Sequence, residues 1–322
     1  MNRLPDFFVV GAPKCGTTSL NSYLSMHPDV YVPARKEIHF FGSDLVFSSP
    51  RPDRAEYLHL FDARRAEKRA GEASVWYLYS RNAAREIHEF NPDARIVIML
   101  RNPVDVMVSL HSQRLYGGDE DIRDFAEALA AEPARRRGER LPRNFRNTMG
   151  FFYRDVARFS EQVRRYVETF RADRIHVILF DDLQRDVATV YRDTCAFLGV
   201  DPTFRPPFDV VNPNKEVWSS GLRDVLQFAS PVVRSGIRAI LPSAFARETL
   251  KRRLLALKTR YVPRSPIDPE LRLRLQGEFR PEIRALGEIL GRDLVSLWFG
   301  AASRVSPAAR RMPSLSRTGL GS

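Results

Sequence analysis

The sequence predicts an α/β fold, a predominantly parallel sheet flanked by helices, with a helical C-terminal portion. Strand-length runs recur at residues 6–10, 29–32, 72–76, 94–100 and 175–180, and segments of helical character separate them. Such alternation puts parallel strands in one sheet and helices on its faces. The 322 residues, 43% of them hydrophobic, suffice for one large core. Ligands of open sheets sit outside the carboxyl ends of the strands, so the loops that follow strands carry the functional signal.

The first run, Phe7 to Val10, is continuously apolar, as a strand buried on both faces is. It passes into Gly11-Ala-Pro-Lys-Cys-Gly16, after which Thr17, Thr18 and Ser19 open a helix over 17–26 that stops before His27-Pro28. Glycine lets backbone turn closely around an oxyanion, and a helix N-terminus favours its charge. The fold is therefore P-loop-like. The spacing meets the G-x-x-x-x-G part of the nucleotide P-loop, yet Thr17 stands where that motif has lysine, and Lys14 lies inside the loop. An ordinary strand-turn-helix with a solvated lysine is the plainer alternative.

The second strand leads into Pro33-Ala-Arg-Lys-Glu-Ile-His-Phe-Phe41, and the fourth delivers Arg101-Asn-Pro-Val-Asp105 into a helix over 103–115 with proline at an early position. Further helices are predicted over 155–170 and over 187–198, the latter stopped by Gly199. Residues 117–147 are charged and broken by Gly and Pro; they predict a helix with a mobile arginine-rich loop over the site, a candidate lid. Past Pro202 a proline-rich connection leads to amphipathic helices around 221–241, 244–257 and 269–290. The organisation expected is one domain over 1–300 and a basic tail over 301–322, whose Ser, Pro and Arg content predicts disorder.

Net charge is +12, mostly from arginine, and attracts anionic ligands. It is scattered among acidic neighbours, and no helix-turn-helix, zinc-finger or RNA-binding aromatic motif accompanies it, so nucleic acid is not an expected partner. The concentrated stretch 135–140 reads as solvated, and Arg304, Arg310, Arg311 and Arg317 in the tail could touch an anionic membrane surface. Cys15 and Cys195 are far apart, which implies neither a disulfide framework nor a zinc site and favours a reducing, cytoplasmic setting. The first strand starts within about six residues of Met1, which leaves no room for a signal peptide. No apolar run is long enough to span a membrane; residues 225–241 are broken by Arg234 and Arg238.

Two constellations carry chemistry. Glu37 lies between Lys36 and His39 beside Phe40 and Phe41, and a carboxylate among aromatics can be tuned toward general-base work. The plain alternative is a surface Glu and a core-facing His. Arg101 offers a planar fork for phosphate, and Ser109 follows two turns along the same helix face; alone, Arg101 would serve equally to pair a structural carboxylate. Two anion sites at the ends of two parallel strands suggest a ligand phosphorylated at two separated places.

These residues resemble the sulfotransferases that use 3′-phosphoadenosine 5′-phosphosulfate, especially the branch of heparan sulfate sulfotransferases and their bacterial relatives. The resemblance runs from Asp6 to about Trp298 through PKCGTTSL, KEIHFF, RNPVDVMVS, ILFDDL with FLGV, VNPNK and GRDLVSLW. It implies that Lys14, Cys15, Gly16, Thr17, Thr18 and Ser19 hold the 5′-phosphosulfate, that Arg101 and Ser109 hold the 3′-phosphate, and that Lys215 lies on a loop closing over the nucleotide. Lys14 would neutralise charge on the departing phosphate. Glu37 would be the base, with His39 as orienter or alternative base, and the scheme requires no metal. The acceptor implied is a hydroxyl, less readily an amine, of a glycan, glycolipid or small metabolite, and the product is adenosine 3′,5′-bisphosphate.

Departures from the family pattern are specific. The heparan branch carries a lysine in the strand before the acceptor site, whereas this chain reads Gly71-Glu-Ala-Ser-Val-Trp-Tyr77; the glycine that often follows the Lys215 loop is also missing. Tyr153 stands where relatives often have a cofactor-side aromatic, with a packed helix tyrosine as the equal alternative, and Trp76 and Tyr77 suit either the acceptor pocket or the core. An ATP-dependent P-loop kinase is the enzyme alternative, disfavoured by the lysine position and by the lack of a clear magnesium-binding carboxylate. A non-catalytic nucleotide-binding protein is the other.

Overall fold

The computed structural model describes residues 4–142, 145, 147–208 and 267–300, with the backbone of Glu216–Val217 and Thr259–Arg260. Five parallel strands form the main sheet: β1 (Phe7–Gly11), β2 (Val30–Tyr31), β3 (Arg69–Ala73), β4 (Arg95–Leu100) and β5 (Ile175–Leu179). Their order is β2-β3-β1-β4-β5. The central strand β1 is fully buried, as its unbroken apolar run requires. It pairs Phe7 with Gly71 on one side and with Arg95 on the other. The chain leaves β1 toward β3 and later crosses to β4, so the strand order reverses at β1, and the crevice outside its carboxyl end is where such sheets take ligands.

Helices α1 (Thr17–Ser25), α2 (Arg54–His59), α3 (Ala83–Phe90), α4 (Pro103–Gly117), α5 (Phe125–Ala130) and α6 (Glu132–Arg136) are followed by α7 (Tyr153–Val156), α8 (Phe159–Thr169), α9 (Phe180–Arg185) and α10 (Val187–Leu198). A short antiparallel pair, β6 (Glu216–Val217) and β7 (Thr259–Arg260), precedes α11 (Pro269–Leu290) and α12 (Leu294–Phe299). Helix α11 buries Leu271, Leu275, Phe279, Ile283 and Leu286, the stripe of an amphipathic helix, and packs on α4, α8 and α12. The helices expected around 221–241 and 244–257, Lys215 and the tail 301–322 lie outside the described residues.

Three expectations need correction. Strand β3 begins at Arg69, three residues before the predicted run, and Val75, Trp76, Tyr77 and Leu78 are buried in a turn rather than a strand. That turn is held by Tyr77 N–H on Ser74 O at 3.1 Å and Leu78 N–H on Val10 O at 2.7 Å. The helix expected over 155–170 is two helices, because Arg158 adopts ψ 85. The Gln162 amide donates to two carbonyls at the break, Asp155 O at 2.9 Å and Val156 O at 3.3 Å.

The third correction concerns residues 135–140. Arg136, Arg137 and Arg140 are exposed, but Arg135 is buried with its fork on Glu120 at 2.7 and 2.8 Å. Tyr153 donates to the same carboxylate at 2.7 Å. Burial alone would raise the Glu120 carboxyl, yet the Arg135 fork and the Tyr153 hydroxyl hold it below the usual carboxylate range. Sequence-local charge gave no sign of this pair, whose partners are 15 residues apart.

Candidate active site

Residues 12–16 turn out of β1 and enter α1. A Cβ on Gly11 would meet Leu78 Cβ at 2.6 Å and Val75 O at 2.7 Å, so the loop can lie on the 75–78 turn only with glycine there. Gly16 caps α1 with φ 90, a conformation costly for residues with a Cβ. Helix α1 has no side-chain cap and no acidic residue in its first turn. Its leading amides, at the positive end of the helix dipole, therefore suit an external anion. Lys14, Thr18 and Ser19 are partly exposed around it, while Thr17 is buried. The Cys15 side chain faces the interior: its thiol is buried, lies 3.5 Å from Pro13 O, and burial pushes it up to about 12.

Arg101 directly follows β4 beside this loop. Its guanidinium lies 4.6 Å over the Phe180 ring, reaches Lys14 O at 3.4 Å and stands 3.9 Å from the Asp105 carboxylate. The carbonyl contact joins the two predicted anion sites. Asn102 caps α4 through Val104 N–H at 3.0 Å and donates its amide to Trp298 O at 2.9 Å, which ties this corner to α12. Two turns along α4, Ser109 is 1% exposed, and its Oγ has no hydrogen-bond partner among the described residues. A buried hydroxyl left this way is unfavourable unless something supplies the missing bond.

The third loop follows β2. Glu37 N–H donates to Ala73 O at 3.1 Å, and the Glu37 carboxylate accepts from Val75 N–H at 3.1 Å and from the Lys36 ammonium. Val75 thus serves both loops, with its amide on Glu37 and its carbonyl against Gly11. His39 stacks on Phe47 at 4.0 Å and places Nε2 3.5 Å from Glu37, while its buried Nδ1 has no partner among the described residues. Burial, with the Lys36, Arg51 and Arg35 charges, lowers the imidazole to about 4, so it is neutral at neutral pH. The aromatic flank expected around Glu37 packs elsewhere: Phe40 stacks on Tyr57 at 4.1 Å and Phe41 meets Phe8 edge-on at 5.6 Å. The Glu37 side chain is 31% exposed.

Lys14, Glu37 and His39 have φ of 68, 60 and 58, and among the described non-glycine residues only Arg140 shares the left-handed region. Each such residue costs about 1–3 kcal/mol and persists where its surroundings over-determine it. For the third loop those surroundings are visible. Arg51 donates to the carbonyls of Phe40, Phe41, Gly42 and Leu45, and Glu86 accepts from Gly42 N–H at 2.6 Å. From below, the Tyr77 hydroxyl accepts from Phe40 N–H at 2.9 Å, and Ser74 Oγ accepts from His39 N–H at 3.2 Å. Tyr77 is therefore a core brace, the second of its two sequence alternatives.

Beneath the loop lies the buried carboxyl of Glu72, which sequence reasoning did not single out. Tyr57, Tyr77 and Ser74 hydroxyls donate to it at 3.0, 2.9 and 2.6 Å. Burial raises its carboxyl to about 7 despite those bonds, and the Glu37 charge pushes the same way. Between pH 4.5 and 7 the folded chain keeps a proton that the unfolded chain has released, so Glu72 lowers stability as pH rises through this window and no further above it. Glu72→Gln has no such proton. Its stability relative to wild type is expected to rise by about 3 kcal/mol across the window, read from urea unfolding at both ends; a pH-independent difference would refute this.

Beside residues 44–46 opens a cleft of about 690 Å³, lined by Arg81, Arg136, Arg158 and Arg165 against Asp44, Asp155 and Glu161. Among the described residues no group of three or more His, Cys, Asp or Glu is placed to hold a metal ion, and no helix is long and apolar enough to cross a membrane.

A parallel sheet with an anion cradle at its central strand and a carboxylate loop beside it is the architecture of a P-loop-like group-transfer enzyme. The Sulfotransferase domain family model matches residues 4–219, and the chain belongs to that family. A sulfotransferase from Alicyclobacillus acidocaldarius, known from its crystal structure, is 33% identical, with 92% of this chain and 99% of that one covered at a TM-score of 0.69. Carbohydrate sulfotransferase 15 of Homo sapiens is 32% identical over 39% of this chain and 30% of its own length. Heparan sulfate glucosamine 3-O-sulfotransferase 6 of Homo sapiens is 33% identical over 35% of this chain and 31% of its own. The chain therefore spans under a third of the length of these two curated relatives.

Proposed function

We propose that this chain moves a sulfuryl group from 3′-phosphoadenosine 5′-phosphosulfate to an acceptor hydroxyl and releases adenosine 3′,5′-bisphosphate. The observation that carries this reading is the buried Ser109 hydroxyl, without a partner among the described residues, on the helix that Arg101 leads into and on a corner that touches the Lys14 loop. Together they fit a nucleotide phosphorylated at both ends. Residues 14–19 would hold the 5′ end, Arg101 and Ser109 the 3′-phosphate, and Lys215, outside the described residues, is assigned by resemblance alone.

The donor supplies a sulfuryl group whose transfer leaves charge on the bridging phosphate oxygen. Lys14 would offset that charge, aided by the α1 amides. Glu37 would take the acceptor proton, oriented by the Val75 amide and the Lys36 ammonium. Glu37 is preferred over His39 on geometry: its carboxylate is held by the Val75 amide and is 31% exposed, while the His39 ring stacks on Phe47. His39 would then orient Glu37 or the acceptor. The acceptor would be a hydroxyl of a glycan, glycolipid or small metabolite, and the carbohydrate sulfotransferases among the relatives support a glycan.

Residues 1–300 would act as one sulfotransferase domain, supported by the packing of α11 and α12 on the sheet's helices, with 301–322 as a separate basic tail able to meet an anionic surface. Two free, buried cysteines support a cytoplasmic setting. One calorimetric titration tests the donor site. Adenosine 3′,5′-bisphosphate is expected to bind without magnesium, and Arg101→Ala and Ser109→Ala to weaken it by about 1–3 kcal/mol each; preference for ATP with magnesium would replace this reading with a kinase.

A further inference from the structure

Asp105 stands 3.9 Å from Arg101 and one turn before Ser109 on α4, which sets a carboxylate beside both groups assigned to the 3′-phosphate. An anion there opposes a phosphate, yet Asp105 is not left uncompensated. Arg272, in the first turn of α11, donates to its Oδ1 at 2.8 Å, while Arg101 stands 3.9 Å from Oδ2. Arg272 reaches this corner from 167 residues away. No other cation is seen against Asp105 among the described residues.

We propose that Arg272 is a positioning residue for 3′-phosphate recognition: it neutralises Asp105 and so leaves Arg101 free to turn its fork to the phosphate. This rests on the donor-site reading above. Without Arg272, Asp105 would both repel the phosphate and compete with it for Arg101. The effect is specific to one end of the ligand, because the 5′ end lies at the Lys14 loop and α1. Arg272 and Asp105 side chains are 31% and 33% exposed, so replacing either leaves no buried charge unpaired.

The test compares adenosine 3′,5′-bisphosphate with adenosine 5′-monophosphate on the full chain by calorimetry. Arg272→Gln is expected to weaken the bisphosphate roughly tenfold and to leave the monophosphate within about twofold. Arg272→Lys, which keeps the charge, should retain most of the preference. In the Arg272→Gln, Asp105→Asn double variant most of the lost affinity should return, because the uncompensated carboxylate is gone. Equal weakening of both nucleotides, or a double variant as weak as Arg272→Gln, would overturn the role given to Arg272. A wild-type chain that binds both nucleotides equally would instead refute the donor-site reading itself.

Discussion

Glu37→Gln is expected to lower kcat by roughly 10²- to 10⁴-fold while leaving the affinity for adenosine 3′,5′-bisphosphate nearly unchanged. The substitution is suited to the site. The Gln carbonyl can still accept from Val75 N–H, and the loop remains held by Arg51, Glu86 and Tyr77, so geometry survives while the proton acceptor is lost. Turnover is measured with labelled donor and the acceptor found by screening glycans and metabolites. Retained turnover would remove Glu37 as the base; His39→Ala in the same assay then shows whether the imidazole takes its place. A parallel loss of nucleotide affinity would mean that the change had propagated through Val75 into the phosphate loop.

Lys14→Met is expected to lower kcat by roughly 10²- to 10³-fold, the size found when one preorganised stabilising group is removed. Methionine keeps a long apolar stem and takes on the same backbone strain as lysine, so the change isolates the charge. If Lys14 acts where charge develops on the departing oxygen, kcat falls much more than the affinity for the bisphosphate product. Equal losses in both would make Lys14 a binding group only. The position of Lys14 within the loop separates this outcome from that of a nucleotide-triphosphate P-loop, in which the lysine follows the second glycine.

The proposed site could be assembled from the sequence because its parts are local. Residues 11–19 announce a phosphate loop by composition and spacing, and Arg101 announces itself by standing at the end of an apolar strand. Helix α10 matches its expected bounds because an amphipathic run closes on Gly199, which takes the left-handed cap. What could not be read depends on partners distant in sequence. An apolar run such as 75–78 looks the same whether it is buried in a strand or in a turn, so β3 was placed three residues late. Glu72 looked like any strand carboxylate, since Tyr57 comes from a helix 15 residues earlier. Arg272 is one arginine of many until α11 docks and sets it against Asp105. The flanking aromatics misled in another way: they are core residues, and their proximity in sequence to Glu37 says nothing about which side of the backbone they occupy.

The docking of α12 on the Arg101 corner has a consequence for synthesis. The Asn102 amide donates to Trp298 O, and Trp298 Nε1 in turn donates to Asp181 beside Phe180, the ring that carries the Arg101 guanidinium. A ribosome therefore releases the glycine-bounded loop and the Glu37 loop long before it releases the residues that brace the second corner, 196 positions after Asn102. On the proposed reading, a nascent chain would hold half the donor site for most of its translation. If the proposed donor site holds, its second corner would be completed only when α12 docks, and a chain truncated before Trp298 would be expected to bind a doubly phosphorylated nucleotide less well.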